Sequence, residues 1–206
     1  MKASKLLILF LSLLFSWGLL QAQVMRLGVH ASLGYAWPHQ DVLDKGLNSS
    51  LGIDLNLSRG WCLIFDFSYG RYQVESRPRG LQKGTIVLTP FWARVQHRFL
   101  PDRNISPYLF VGSGYVFSRF LMEELLTIPE ISVSQKVENG WGFTGGAGLE
   151  LKLKRENISI FTEAIYISRK TEGITTINDL NFGLREEKFK VDLSSWQIRV
   201  GFRYFY

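Results

Sequence analysis

The chain has 206 residues, of which 46% are hydrophobic and 20% charged, with a formal net charge of +6. A basic balance can indicate nucleic-acid binding, but neither a basic helix nor a run of Lys and Arg is present, so this class is excluded. The single cysteine, Cys62, excludes an internal disulfide. These bulk values fit an ordinary soluble protein. They also fit a membrane barrel, because alternating strands give a weak hydropathy signal.

The first 22 residues have the layout of a secretory signal peptide. Lys2 and Lys5 give a positive start, residues 6–20 form an apolar run, and Ala22 is a small residue before a plausible cleavage point. A membrane anchor is the alternative, since a spanning helix needs about 20 apolar residues. Because no cationic stop-transfer flank follows, we interpret the segment as a cleaved signal, and its removal leaves a charge of +4.

Eight later segments alternate apolar and polar residues, which is the period of a β-strand with unlike faces. The first and sixth are regular. In the seventh, Glu163 marks the polar face, but Ile165 and Ile167 fall on that same face and blur it. In chain order the segments are 27–37, 51–58, 61–70, 85–99, 105–120, 141–153, 158–169 and 191–206.

The last segment shows the pattern most clearly. From Trp196 onward every second residue is apolar, and Arg199 and Arg203 lie between them. Lipid-facing strands of outer-membrane barrels alternate in this way and carry aromatic residues at the membrane interfaces. We expect the end of this strand to be recognised by the barrel-assembly machinery through Phe202, Tyr204 and Tyr206.

The connections alternate in length along the chain. Transmembrane barrels have short periplasmic turns and longer extracellular loops, whereas a soluble barrel has no reason to keep all long loops at one end. The short connections are 58–60, 100–104 and 154–157, and the long ones are 38–50, 73–84, 121–139 and 170–190. The prediction is an all-β protein, an eight-stranded antiparallel transmembrane β-barrel of up-and-down topology, with both termini in the periplasm. Its domains are a signal peptide, 1–22, and one barrel domain, 23–206.

Alternation alone does not say which face is outside, and a secreted soluble barrel or sandwich is the alternative. The less apolar face is rich in Gly and Ser, which suits a narrow bore better than a water-facing surface. An eight-stranded bore has room for side chains or one small ligand, so a wide porin channel is disfavoured. Charges of both signs inside the bore are either structural ion pairs or the gate of a narrow polar passage. The lumen-lining candidates are Arg26, His30, Asp54, Asp66, Arg94, Arg98, Glu150, Lys152, Glu163, Arg199 and Arg203.

Residues 88–115 contain Pro90, a short turn, and then Pro107 and Tyr108 followed by alternating glycines. Similar glycine and aromatic patterns recur at 139–148 and 196–204. These motifs resemble the OmpW-like family of small outer-membrane proteins and, more broadly, OmpA-type barrels. The resemblance implies an eight-stranded barrel whose lumen accepts small, mostly hydrophobic solutes that leave sideways into the membrane. It also implies a short helix in the third long loop, for which 121–126 is the candidate. The many inward charges depart from the apolar lumen of that family.

An enzymatic role has one candidate pair, His30 and Ser32, which share a strand face two residues apart. They lie in mid-strand on the inward face without an evident third partner, so we predict that the protein is not an enzyme. The scattered histidines and single cysteine show no metal-ligand spacing, and no cofactor is expected.

The expected function is a narrow passive route for small molecules, hydrophobic ones among them. The alternative is a structural or adhesive barrel with a plugged lumen, whose extracellular loops bind partners. The expected location is the bacterial outer membrane. The partners expected are outer-membrane lipid and lipopolysaccharide, the barrel-assembly machinery and a small hydrophobic solute, with no nucleic acid.

Overall fold

The computed structural model describes residues 26–40, 43–58, 60–75, 82–123, 131–153, 157–179 and 183–206. The signal peptide predicted above lies outside these residues. Within them no helix has the length and apolar character needed to cross a membrane. The strands are β1 Arg26–Pro38, β2 Gly46–Ser58, β3 Trp61–Val74, β4 Gly84–Arg98, β5 Ile105–Met122, β6 Ile131–Val137, β7 Gly140–Lys152, β8 Ile158–Ser168, β9 Lys170–Asp179, β10 Gly183–Asp192 and β11 Ser195–Phe205.

Eight of these strands close into an antiparallel barrel in the order β1-β11-β8-β7-β5-β4-β3-β2. The first and last strands close the barrel by pairing from Gly28 with Phe205 to Pro38 with Ser195. The predicted eight-stranded antiparallel barrel is therefore confirmed. The predicted start of the last strand at residue 191 is wrong, because Val191 and Asp192 belong to β10 and two residues separate them from β11.

The three remaining strands form a second sheet in the order β10-β9-β6, which we call the cap. Its strands come from two long connections, those between β5 and β7 and between β8 and β11. Val137 and Val191 of the cap are buried in one apolar cluster with Val74 and Ile86 of the barrel. The cap was not predicted, since these residues were assigned to loops. Strand β10 is exposed along most of its length and lacks the half-buried pattern of period two.

The two ends of the barrel differ. The turn end carries the short connections β2–β3, β4–β5 and β7–β8, together with the start of β1 and the final residues of β11. The opposite end, the loop end, carries the cap. The helix predicted at 121–126 does not begin where expected, because Leu121 and Met122 continue β5 and pair with β4. The residues 124–126 of that prediction lie outside the described part of the chain.

The outer wall of the barrel is apolar. Leu51, Val111 and Phe143 are 64%, 68% and 67% exposed, whereas Asp54 and Arg203 inside the barrel are fully buried. A wall of this extent is stable against lipid and not against water, because water would leave the whole apolar surface uncovered. The soluble-barrel alternative is therefore wrong. The residues of the predicted assembly signal, Phe202, Tyr204 and Tyr206, are exposed on this wall, and their role in assembly stays a prediction.

The wall has an edge near the loop end. Tyr69 and Phe117 are outward-facing aromatic residues on β3 and β5, and the exposed cations Arg71 and Arg119 follow each of them by two residues. Both cations pair with Val87 of the intervening strand, so they lie at one level. Aromatic side chains mark the headgroup region of a bilayer, and we infer that the acyl layer ends at this level.

Replacing Val200 with Arg tests the lipid-facing wall. Val200 is 56% exposed at the middle of β11, so an arginine there should lower the free energy of unfolding in phospholipid vesicles by about 2–4 kcal/mol. The control is Leu184→Arg on the exposed strand β10, which should change it by less than about 0.5 kcal/mol. Urea titration measures both variants, and equal losses would contradict a wall facing acyl chains.

Candidate functional site

The structure brings most of the predicted lumen residues together inside the barrel. Arg26 is exposed at the turn end, and Lys152 is half-buried with its Nζ donating to the carbonyl oxygen of Pro101. Neither of these two joins the central cluster. The nine that are buried are His30, Asp54, Asp66, Arg94, Arg98, Glu150, Glu163, Arg199 and Arg203.

Four of these residues form an ionic cluster toward the turn end. Glu150 Oε2 lies 2.7 Å from Arg98 Nε and 3.0 Å from Arg203 Nη1. Arg203 Nε lies 2.9 Å from Asp54 Oδ2, and Ser159 Oγ donates to Glu150 Oε1 at 2.7 Å. Two guanidinium groups thus face two carboxylates, and the cluster is neutral overall.

A second ionic cluster of the same composition lies nearer the loop end. Asp66 Oδ2 lies 3.0 Å from both Arg94 Nη2 and Arg199 Nη1. Arg94 Nη1 also donates to Glu163 Oε2 at 3.1 Å, and Tyr108 donates its hydroxyl to Glu163 Oε1 at 3.0 Å. This cluster is also neutral, and all five of its side chains are buried.

His30 connects the two clusters. Its Nδ1 lies 3.1 Å from Asp54 Oδ2, and its Nε2 lies 3.8 Å from Asp66 Oδ1. We call the two clusters with His30 the lumenal network. All eight barrel strands contribute a side chain to it, since Tyr108 comes from β5 and Glu150 from β7. An eight-stranded bore is just wide enough for such side chains, so the network fills its cross-section.

Glycines on neighbouring strands make room for the large lumenal side chains. A Cβ atom at Gly52 would overlap the ring of His30, and one at Gly148 would overlap the ring of Tyr108. Both glycines lie at inward positions of their strands. At these two positions the small residue on the inner face has a steric cause, because it underlies a bulky neighbour.

Toward the loop end one side of the lumen is apolar, and the other side carries neutral polar side chains such as Asn48 and Gln197. Trp92, Phe110 and Val116 are buried there in one cluster with Ile165 and Ile167. The sequence reasoning missed these residues as part of the lumen. The signal was present, because Ile165 and Ile167 lie at the same strand parity as Glu163 and were interpreted as noise on the polar face.

A cavity lies in the lumen beside this apolar cluster. Its free volume is about 30 Å³, which is room for one or two water molecules. It touches the apolar side chains of Leu88 and Trp92, and it also touches Arg169 at the loop end. Tyr69 of the outer wall lines it as well, so the cavity reaches the barrel wall.

The wall is interrupted next to this cavity. Strands β3 and β4 pair from Trp61 to Phe67, and the pairing resumes only at Gly70 with Leu88. Ser68 therefore lies opposite Pro90, and Tyr69 lies opposite Thr89, without ladder pairing. Pro90 has no backbone N–H to donate, which accounts for the interruption. On its other side the strand stays paired, with Pro90 opposite Val116.

The pair His30 and Ser32 does not form a nucleophile–base arrangement. His30 contacts Asp54, and the hydroxyl of Ser32 lies 2.6 Å from that of Ser50. Both side chains are buried in the lumen. Among the described residues no group of histidine, cysteine and carboxylate side chains has the geometry of a metal site.

The chain is similar in fold to solved outer-membrane proteins. OprG from Pseudomonas aeruginosa superimposes with a TM-score of 0.70 at 18% identity, over 89% of this chain and 96% of that one. AlkL, solved in lipid bilayers, gives 0.56 at 15% identity over 88% and 90%. A major outer-membrane protein from Thermus thermophilus gives 0.56 at 13% identity over 89% and 100%. No protein-family model and no curated sequence matches the chain. The neighbours thus show an outer-membrane barrel fold.

Substituting Glu150 with Gln tests the energetic role of the lumenal network. The variant leaves Arg98 and Arg203 buried with one carboxylate fewer, and the free energy of unfolding should fall by about 3–5 kcal/mol. The matched control is Glu172→Gln, whose partner Lys188 lies 3.4 Å away on the exposed cap and whose loss should be under about 1 kcal/mol. Urea titration in vesicles compares them. A Glu150→Gln variant as stable as the control would show that the ion pairs contribute little.

Proposed function

We propose that the protein is an outer-membrane barrel that passes small apolar or amphipathic molecules sideways into the membrane. The route starts at the loop end, enters the apolar part of the lumen and leaves between β3 and β4. The lumenal network keeps the axial route closed. The signal peptide and the alternation of loop lengths support a location in the bacterial outer membrane, with the turn end in the periplasm.

The closed axial route is supported by the ionic clusters. Their carboxylates, Asp54, Asp66, Glu150 and Glu163, are fully or almost fully buried. A solute moving along the axis would have to separate buried ion pairs, and leaving one partner unpaired costs several kcal/mol. The network also presents no apolar surface along which a hydrophobic solute could move. An axial passage is therefore the less favourable path for such molecules.

The lateral route is carried by one observation, the cavity that touches both the lumen and the interrupted wall. Trp92 and Leu88 give it an apolar lining, and Tyr69 and Pro90 place it at the gap between β3 and β4. Strands joined by fewer hydrogen bonds separate at lower cost. Tyr69 at the missing pairs lies two residues from Arg71, where we infer the acyl layer to end, so a solute leaving here would enter the boundary between headgroups and acyl chains.

A structural or adhesive barrel is the second candidate. The closed network and the cap favour it, since an exposed sheet above a sealed barrel offers a surface to partners without needing a passage. The cap strand β10 is exposed over residues 183–188. This function does not explain the missing β3–β4 pairs beside the cavity, and for that reason we place it second.

Substituting Pro90 with Val tests the lateral route. Valine restores a backbone N–H, which allows the missing β3–β4 pairs to form. One added hydrogen bond is worth about 0.5–1.5 kcal/mol, so uptake of a hydrophobic fluorescent solute into proteoliposomes should fall roughly two- to tenfold.

The control variant is Pro107→Val, because Pro107 lies on β5 in an uninterrupted ladder opposite Leu149. Its uptake should equal that of the unmodified protein. Planar-bilayer recordings should show no steady ion conductance for any of the three proteins. Uptake no faster than in protein-free vesicles would favour the adhesive barrel, and a large steady conductance would contradict the closed axial route.

A further inference from the structure

Arg169 is a buried cation whose charge has no carboxylate partner among the described residues. It follows strand β8 at the loop end, and its side chain is 2% exposed. Its Nη2 donates to the backbone oxygen of Glu138 at 2.6 Å. Its Nε and Nη1 have no hydrogen-bond partner in the part of the chain that the structure describes. Buried guanidinium groups are normally paired, because an unpaired one loses its hydration without compensation.

Two acidic residues near Arg169, Glu138 and Asp192, make no side-chain hydrogen bond with it in the part of the chain that the structure describes. Glu138 offers Arg169 its main-chain oxygen, which also accepts from Thr171 Oγ1 at 3.0 Å. Asp192 uses Oδ1 to accept from the backbone N–H of Ser194 at 2.9 Å. The described ranges of the chain therefore do not neutralise Arg169 in this arrangement.

The cavity beside Arg169 has a positive lining. Two arginines, Arg169 and Arg199, line it, and none of its lining residues is Asp or Glu. Arg199 is already held by Asp66 at 3.0 Å, whereas Arg169 keeps free donors. The remaining walls near Arg169 are apolar or neutral, with Leu193 and Ile167 among them. A ligand that suits both features has one negative group and an apolar body.

We propose that Arg169 binds the carboxylate of a small amphipathic monocarboxylic acid, and that the apolar tail of this acid extends toward the gap between β3 and β4. This proposal rests on the lateral route proposed above and names its substrate class. The free volume of about 30 Å³ suits the head group. The tail lies where the cavity meets Leu88 and Pro90, and it displaces these side chains toward the interrupted wall.

A carboxylate supplies the anionic hydrogen-bond acceptor that is absent from the lining of the cavity. The planar guanidinium group presents parallel donors to the two oxygens of a carboxylate. Hydrogen bonds to charged groups are worth about 1.5–3 kcal/mol, which corresponds to roughly 10- to 150-fold in affinity. An alcohol with the same tail forms only neutral hydrogen bonds and should bind correspondingly more weakly.

Direct binding of octanoate and octanol to the full chain in lipid nanodiscs tests the proposal, followed by tryptophan fluorescence and by calorimetry. Octanoate should bind the unmodified protein at least tenfold more tightly than octanol. In Arg169→Gln this preference should disappear, and Arg169→Lys should keep part of it. The control Arg185→Gln changes an exposed cap arginine paired with Glu187 at 2.8 Å and should leave the preference intact.

Acetate and chloride serve as anions without an apolar tail, and heat-modifiability on a detergent gel serves as the check of folding. Acetate and chloride should bind much more weakly than octanoate, since they lack the tail, and equal binding would overturn the proposal. Equal affinities for octanoate and octanol in the unmodified protein would also overturn it. An unboiled sample of Arg169→Gln should migrate like the unmodified protein on a detergent gel, and if it does not, Arg169→Lys alone decides by retaining or losing the preference.

The two proposals fail separately. Selective octanoate binding together with unchanged uptake in Pro90→Val would retain the Arg169 site and reject the lateral route. Equal uptake of the acid and the alcohol, reduced alike in Pro90→Val, would retain the route and reject Arg169 as its selective element.

Discussion

Four arginine and four carboxylate side chains neutralise one another inside a bore just wide enough to hold them. Any of these charges left unpaired would cost several kcal/mol, so each barrel strand has to place its member at a defined height. The strand register meets this requirement, for example by setting Arg199 beside Glu163 on the adjacent strand. The apolar outer wall follows from the same alternation, because every residue between two inward positions faces lipid.

The lumen is divided along its axis into two environments. The turn-end part is ionic, and the loop-end part is uncharged over most of its lining and apolar on the side of Trp92, which is buried beside a small cavity. This division reconciles the inward charges with an apolar lumen, because both are present at different heights. It also explains why the interruption at Pro90 matters. The missing ladder pairs lie beside the cavity, where the proposed lateral route would hold a hydrophobic solute.

The barrel could be predicted from the sequence because a period of two persists through segments with unlike faces. The inward position of residues such as Asp54 and Arg203 follows from the same period. Their pairing does not, since Arg199 on β11 meets Asp66 on β3 only after the barrel has closed. The cap was missed because β10 is exposed on both faces and shows no half-buried period. Pro90 is visible in the sequence, but which neighbouring strand loses its pairs depends on the register. Arg169 ends the seventh predicted segment, 158–169, but the sequence does not show its surroundings. Only the three-dimensional structure shows that no described carboxylate pairs with it.

The contribution of all eight barrel strands to one connected network of charged and polar side chains has a consequence for how the protein enters a bilayer. A sheet lacking its final strand would lose Arg199 and Arg203, so that its four lumenal carboxylates would face only two arginines, Arg94 and Arg98. Partly built intermediates are therefore penalised electrostatically until the first and last strands meet. Sealing of the cylinder and satisfaction of its ions become a single event, which makes insertion all-or-none.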